Sequence, residues 1–205
     1  MLFRLMLGFV LLIYGPVAAQ DALAPAQGQA LLAALPKSVV TRLQRAPGRI
    51  VEDAATMIAG LGGPGGLDPG GIAAFVALER AEARTYEMRQ MLAADLDNDG
   101  AVAAAELAQR IAVESPRAGG CLQLAFLAAD ADGNGQVDMG ELRGHAALRA
   151  LKTLSDARAA DLAALMRFDL DGDGLLTLAE VTAGVAAVLA ASEAGKAGEE
   201  SEKDA

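Results

Sequence analysis

Three acidic segments of twelve residues recur in the second half of this 205-residue chain and constrain its fold more than any other feature. They are DLDNDGAVAAAE (95–106), DADGNGQVDMGE (130–141) and DLDGDGLLTLAE (169–180). Each has Asp or Asn at positions 1, 3 and 5, glycine at position 6 and glutamate at position 12. Two carboxylates ~4 Å apart repel each other by about 1 kcal/mol even in water. Their repeated clustering therefore indicates a bound cation.

The donor set selects the kind of cation. Many oxygen ligands in a flexible loop suit Ca²⁺, whereas Mg²⁺ requires a tighter octahedron and gives up water reluctantly. Soft metals lack ligands, because the chain has one cysteine, Cys121, and one histidine, His145. We predict side-chain ligands at positions 1, 3, 5, 9 and 12 and a backbone carbonyl ligand at position 7. The predicted ligands are Asp95, Asp97, Asp99, Ala101 and Glu106; Asp130, Asp132, Asn134, Gln136, Asp138 and Glu141; and Asp169, Asp171, Asp173, Leu175, Thr177 and Glu180.

The three loops resemble those of the EF-hand family, whose loop pattern covers 36 residues of this chain. The resemblance implies an all-α fold of helix–loop–helix repeats with three Ca²⁺ sites. It also implies short strand contacts between paired loops through Val102, Val137 and Leu176 at position 8. The first site lacks an oxygen at position 9, where Ala103 stands, and is expected to bind more weakly.

Apolar residues flank each loop at helical spacing and predict buried helix faces. Before the loops these are Met91/Leu92, Phe126/Leu127 and Leu165/Met166; after them, Leu107/Ile111, Leu142/Ala146 and Val181/Val185. The lone His145 is expected to lie on a helix surface.

Three hands leave one without a partner, because such loops work in pairs. The loop starts are spaced by 35 and then 39 residues, and the first spacing favours pairing of the first two. The third hand could then form a homodimer, pack on the N-terminal helices, or pair with a degenerate hand upstream. In that last case Gly70 and Ile72 would mimic loop positions 6 and 8.

The remaining segments divide the chain as follows. Residues 1–19 read as a signal peptide, with Arg4, an apolar run and Val17-Ala18-Ala19 before the cleavage point. An uncleaved anchor is the alternative. The other predicted segments are a linker (20–29), an N-terminal helical region (30–84) with a Gly/Pro hinge or degenerate hand at 60–71, three EF-hands (85–191), and a disordered acidic tail (192–205).

Composition narrows the functions. The formal net charge of −10 leaves no basic stripe for phosphates, so nucleic acid is not an expected partner. No stable membrane span is expected after signal cleavage. The apolar run near the N-terminus is short for a span, and cleavage after Ala19 would remove it. No nucleophile with a positioned base is recognisable, so an enzyme is not expected.

The sequence thus predicts an exported calcium-binding protein, periplasmic or secreted, with a bacterial periplasm favoured. It would act as a calcium buffer, a sensor or a calcium-dependent adaptor for a protein client. The alternative is a structural module that calcium locks and that docks to a surface or enzyme partner.

Overall fold

The computed structural model describes residues 23–203, and the predicted signal peptide at 1–19 lies outside them. The described part is all-α with a small two-stranded sheet, as the sequence predicts. Its helices and strands are α1 (Pro25–Ala34), α2 (Lys37–Arg45), α3 (Pro47–Leu61), α4 (Pro69–Leu92), β1 (Val102–Ala103), α5 (Ala104–Ile111), α6 (Pro116–Ala129), β2 (Gln136–Val137), α7 (Met139–Thr153), α8 (Asp156–Ala163), a 3₁₀ turn (Ala164–Phe168) and α9 (Leu178–Lys203).

Prolines set the boundaries of the N-terminal helices. Pro25 and Pro47 open α1 and α3 at the first helical position, where the missing N–H costs nothing. The linker predicted at 20–29 is therefore wrong from Pro25 onwards. Gly28 of α1 lies so close to the carbonyl of Ala187 in α9 that a Cβ there would clash at 2.7 Å. Close packing on α9 thus orders a segment whose composition alone looked unstructured.

The loops pair in a nested order. β1 and β2 are antiparallel, with Val102 opposite Val137, so the first two hands pair as predicted. The third loop pairs within the chain as well, through a bridge between Leu176 and Leu67. Leu67 donates its N–H to the Leu176 oxygen at 3.0 Å and accepts one in return at 2.8 Å. The hinge segment thus takes the place of a fourth hand.

The register of that upstream segment differs from the predicted one. Leu67, and not Ile72, stands opposite position 8 of the third loop. Five residues separate Leu61 at the end of α3 from Leu67, whereas seven separate Phe168 from Leu176. The shorter loop is rich in glycine and has no carboxylate before Asp68. Since Leu67 already pairs with the third loop, the prediction of a homodimer through an unpaired third hand loses its basis.

Helix α4 is shared by two hydrophobic cores. Its first turns carry Ile72, Phe75 and Val76 into a core formed with α1–α3, α8 and α9. Its last turns carry Met88 and Met91 into a second core with α5–α7. One continuous helix of 24 residues is therefore both the exit from the hinge segment and the entrance to the first calcium loop.

Helix α9 corrects the prediction of a disordered tail from residue 192, because it continues to Lys203. The segment is rich in Ala, Glu and Lys, which are strong helix formers, and this propensity extends the helix beyond its packed part. Residues Leu178–Lys196 are long and apolar enough to cross a membrane by length and composition. In the structure, Val181, Val185 and Val188 of this stretch belong to the first core.

The burial of two helix residues, Leu127 and His145, also differs from the prediction. Leu127, predicted on a buried face, is 60 % exposed, because its neighbour Phe126 points into the second core instead. His145 was expected at the surface, but its side chain is only 9 % exposed and lies 3.9 Å from Glu87 of α4. It belongs to the contact between α4 and α7, where Arg149 also donates to Glu87 at 3.1 Å.

Candidate metal centres

Three groups of carboxylates converge in the described part of the chain, one in each predicted loop. They are Asp95, Asp97 and Glu106; Asp130, Asp132 and Glu141; and Asp169, Asp171 and Glu180. In each group the candidate ligand oxygens lie within 4.8 Å of one another. The structure therefore brings together positions 1, 3 and 12 of every loop, and their role as ligands stays a prediction.

The loop backbone holds these carboxylates in place. In the second loop, Asp130 accepts from the N–H groups of Asn134 and Gly135, both at 3.0 Å. Asn134 in turn accepts from Gln136 at 2.7 Å. In the first and third loops the aspartates at positions 1 and 5 likewise accept from backbone N–H groups of the loop. The third loop differs in one contact, because the N–H of its position-5 residue does not donate to Asp169. Directed N–H groups offset part of the repulsion among the acids. Each carboxylate oxygen has a second lone pair, with which it can still bind a cation.

The closing glutamate spans each loop from its end to its beginning. Glu180 accepts from Leu170 at 2.9 Å with one oxygen, and from the Thr177 N–H at 2.9 Å with the other. Glu106 and Glu141 make the equivalent contacts. Both oxygens of each glutamate are thus oriented, which suits the two-oxygen coordination expected at position 12.

Two of these glutamates have a lowered pKa. Hydrogen bonds from the backbone of Ala103 and then Leu96 lower the pKa of Glu106. Burial raises the pKa of Glu180, but hydrogen bonds from the side chain and backbone of Thr177 outweigh it and the net shift is downward. Both side chains therefore remain ionised, and able to bind a cation, to lower pH than an ordinary glutamate.

Position 4 of each loop is a feature that the sequence reasoning missed. Asn98, Gly133 and Gly172 have φ values of +61°, +71° and +75° there. Glycine adopts positive φ without steric cost, and Asn tolerates it better than most residues. The recurrence of Asn or Gly two residues before the position-6 glycine was the available signal.

At position 7 the structure shows hydrogen bonds of the backbone N–H group only. Ala101, Gln136 and Leu175 donate their N–H groups to the residue at position 5, at 2.7 to 2.8 Å. The role of their carbonyl oxygens as ligands stays a prediction from the resemblance, as does the full ligand set at positions 5 and 9.

Position 9 caps the exiting helix in two of the three hands. Asp138 accepts from the N–H groups of Gly140 and Glu141 at 2.7 and 2.8 Å, and Thr177 accepts from Glu180 at 3.2 Å. Ala103 has no oxygen with which to cap α5. At position 9, the first hand therefore has neither a side-chain cap for α5 nor a candidate calcium ligand.

Clustered, backbone-held carboxylates between paired helices are typical of helix–loop–helix calcium-binding proteins. The family model described as EF hand matches residues 122–144 and 162–185, which contain the second and third loops. By these two segments the chain carries EF hands, and with the acidic clusters they indicate calcium binding. No curated protein and no solved structure matched the chain.

Adding an oxygen at position 9 of the first hand is expected to strengthen it. Both Ala103→Ser and Ala103→Asp supply a cap for α5, worth about 1 kcal/mol in unfolding free energy. Only Asp also adds a carboxylate, so its calcium affinity at the first site should exceed that of the Ser variant. Thermal unfolding without calcium and calorimetric titration with calcium measure the two effects. A calcium affinity at the first site that is equal in both variants to that of the unmodified chain would show that position 9 acts only as a cap.

Acid is expected to destabilise the calcium-free protein through Glu106 and Glu180. Their folded-state pKa values lie below the unfolded ones, so their stabilising contribution is complete above the unfolded value of about 4.3 and is lost as pH falls through the folded values. The melting temperature should thus decline below about pH 5. The double variant Glu106→Gln/Glu180→Gln should flatten this decline, while Glu193→Gln, an exposed site on α9, should not. An unchanged decline in the double variant would contradict the assignment.

Proposed function

We propose that this chain is an exported calcium-binding protein with three Ca²⁺ sites. The observation that supports it best is the repetition of one arrangement: three loops with the same carboxylate cluster and nearly the same backbone hydrogen bonds. The first loop lies outside the family-model matches but has the same cluster as the other two. Three ions would take the formal charge of the chain cleaved after Ala19 from 16 − 27 = −11 to −5.

Export to a bacterial periplasm or to the exterior is part of this proposal. It rests on the charged start, the apolar run and the small residues of segment 1–19. Calcium is plentiful outside the cytoplasm, where sites with dissociation constants of about 10⁻⁴–10⁻³ M are filled. Mass spectrometry of the protein recovered from the periplasmic fraction tests this directly: a mass starting at Gln20 supports it, and an intact Met1 in the cytoplasm or membrane contradicts it.

Among the roles open to such a protein, the packing favours a buffer or a calcium-locked module over a sensor. A sensor hand opens to expose an apolar groove, often lined by methionine. Here Met91 is 2 % exposed in the second core, and Val39 and Leu43 of α2 fill the first. The chain's own N-terminal helices thus occupy apolar surface that a sensor would offer to a client.

One apolar groove keeps the sensor role testable. It has a volume of about 270 Å³ and lies between the start of α4 and α8 with its following 3₁₀ turn. Its lining includes Ile72, Val76 and Met166. If hands open on binding calcium, a dye for apolar surface such as ANS should report it here.

The test is an ANS titration combined with calorimetry, starting from calcium-free protein. We expect three ions per chain and a fall in ANS fluorescence, because calcium consolidates the loops. Two ions per chain would contradict the proposal of three sites. A rise in fluorescence at micromolar calcium would overturn the buffer or module role in favour of a sensor.

A further inference from the structure

The outer face of α6 is unusually apolar for an exposed helix. Among its 14 residues, Arg117 alone carries a charge. Leu124 and Leu127 are 69 % and 60 % exposed, and Val113, just before the helix, is 77 % exposed. Large apolar side chains grouped on one exposed face are typical of an interaction surface. We call this face, formed by Val113, Arg117, Gly120, Cys121, Leu124, Leu127 and Ala128, the outer α6 face.

Gly120 leaves room on this face for the close approach of another helix. A glycine within a helix costs about 1 kcal/mol relative to alanine. Its neighbour Gly119 has a reason within the chain, because a Cβ there would lie 3.0 Å from Ile111. A Cβ at Gly120 would meet nothing within 4 Å. The same open space occurs at the helical glycines Gly48, Gly60, Gly144 and Gly195, so Gly120 permits a close helix contact on this face but does not by itself require one.

The charges at the two ends of the outer α6 face complement each other. Arg117 is exposed at the N-terminal end and forms no salt bridge with any residue in the part of the chain that the structure describes. The acidic second loop, with exposed Asp132, follows at the C-terminal end. The helix dipole has the same polarity as these charges. A face that is positive at one end and negative at the other matches a second copy of itself in antiparallel orientation.

We propose that two copies of this chain associate through the outer α6 face, antiparallel, about a two-fold axis at Leu124. In that register Arg117 of one copy lies opposite Ala131 of the other, beside the acidic second loop. Gly120 lies opposite Ala128, so two small residues let the helices approach closely. The two Leu124 side chains meet at the axis, as an isologous interface requires of a central residue.

This interface differs from a pairing of calcium loops between chains, since both loop pairs are already formed within one chain. It also lies outside the two cores: Phe126 and Ala129, on the opposite face of α6, pack into the second core. The calcium sites and the dimer can therefore fail independently in an experiment.

Sedimentation of the full chain, produced from Met1 and purified as the host processes it, tests the proposal in millimolar calcium. We expect a concentration-dependent dimer. Leu124→Glu should raise its dissociation constant at least tenfold, about 1.4 kcal/mol. Leu148→Glu, at a 63 % exposed site on α7, should leave it unchanged. A monomer at all concentrations would overturn the proposal, including one that binds lipid vesicles or another protein through this face.

The register has its own tests. Arg117→Glu should weaken the dimer, and adding Ala131→Arg should restore it, because it places a positive charge opposite the new negative charge at position 117. In a Cys121→Ser background, Leu124→Cys should form a disulfide between copies in glutathione disulfide buffer, with reduced glutathione released, whereas Leu148→Cys should not. The antiparallel arrangement would be overturned if the charge variants left the dissociation constant of the dimer unchanged and the Leu124→Cys variant formed no disulfide between copies.

Discussion

Replacing Glu180 by glutamine is expected to remove calcium binding from the third hand and reduce the stoichiometry from three ions to two. Glutamine keeps the shape of the side chain, but its single oxygen can accept from only one end of the loop, where Glu180 accepts from Leu170 with one oxygen and from Thr177 with the other. It also lacks the charge and the second carboxylate oxygen. Affinity in such loops depends on the number of charged ligands. We therefore expect a loss of roughly two orders of magnitude at this site.

The effect should be largest in this hand, because Glu180 is the most deeply placed of the three closing glutamates. It is 9 % exposed and receives hydrogen bonds from both the backbone and the hydroxyl of Thr177. Calorimetry and native mass spectrometry count the ions directly. Glu193→Gln, on the exposed face of the same helix, serves as the matched control and should retain three. Retention of three ions by the Glu180 variant would show that this loop does not close around a cation.

The calcium loops could be predicted from the sequence because their determinants are local. Each carboxylate contacts backbone N–H groups within ten residues of itself, as the bond from Leu96 to Glu106 illustrates. Spacing along the chain therefore specifies the geometry almost completely. Helix boundaries at proline are local in the same way: α2 begins directly after Pro36 and α3 begins at Pro47, because the proline ring excludes a continuous helix through either residue.

The pairing of the third loop could not be read in the same way. Leu67 and Leu176 are separated by more than 100 residues, and nothing near either one identifies the other. The predicted register also assumed that the hinge has the length of a full twelve-residue loop. In the structure a shorter connection joins α3 to the pairing residue, Leu67. The spacing of apolar residues is also an incomplete guide to burial. Phe126 and Leu127 are adjacent and both apolar, and only packing decides which one is buried.

Both ends of the described chain are more helical than the sequence predicts. Helix α1 looks like a linker until α9 is placed against Gly28. His145 appeared to be a surface residue because its partner, Glu87, lies on another helix 58 positions earlier. For α1 and His145 the deciding contact is distant in sequence, so composition and spacing carried no information about it.

Truncating Leu67 to alanine is expected to lower the free energy of unfolding by about 2–5 kcal/mol, the usual cost of removing a large buried apolar side chain. Leu67 is fully buried in the first core together with Leu176 and Phe168. The backbone bridge to Leu176 remains available to alanine, so the loss isolates side-chain packing. Because the third loop is held through Leu176, its calcium affinity should fall although no ligand has changed. Urea unfolding with and without calcium measures both effects.

Leu78→Ala is the matched control, since Leu78 is the same residue type on α4 but is 55 % exposed. Its effect should stay within about 0.5 kcal/mol, as for most surface substitutions. Combining Leu67→Ala with Glu180→Gln separates packing from ion binding: the double variant should lose calcium-dependent stabilisation of this core while the first two hands still respond. If Leu67→Ala were as mild as the control, the hinge segment would not support the third hand, and the nested pairing of four helix–loop–helix units would be wrong.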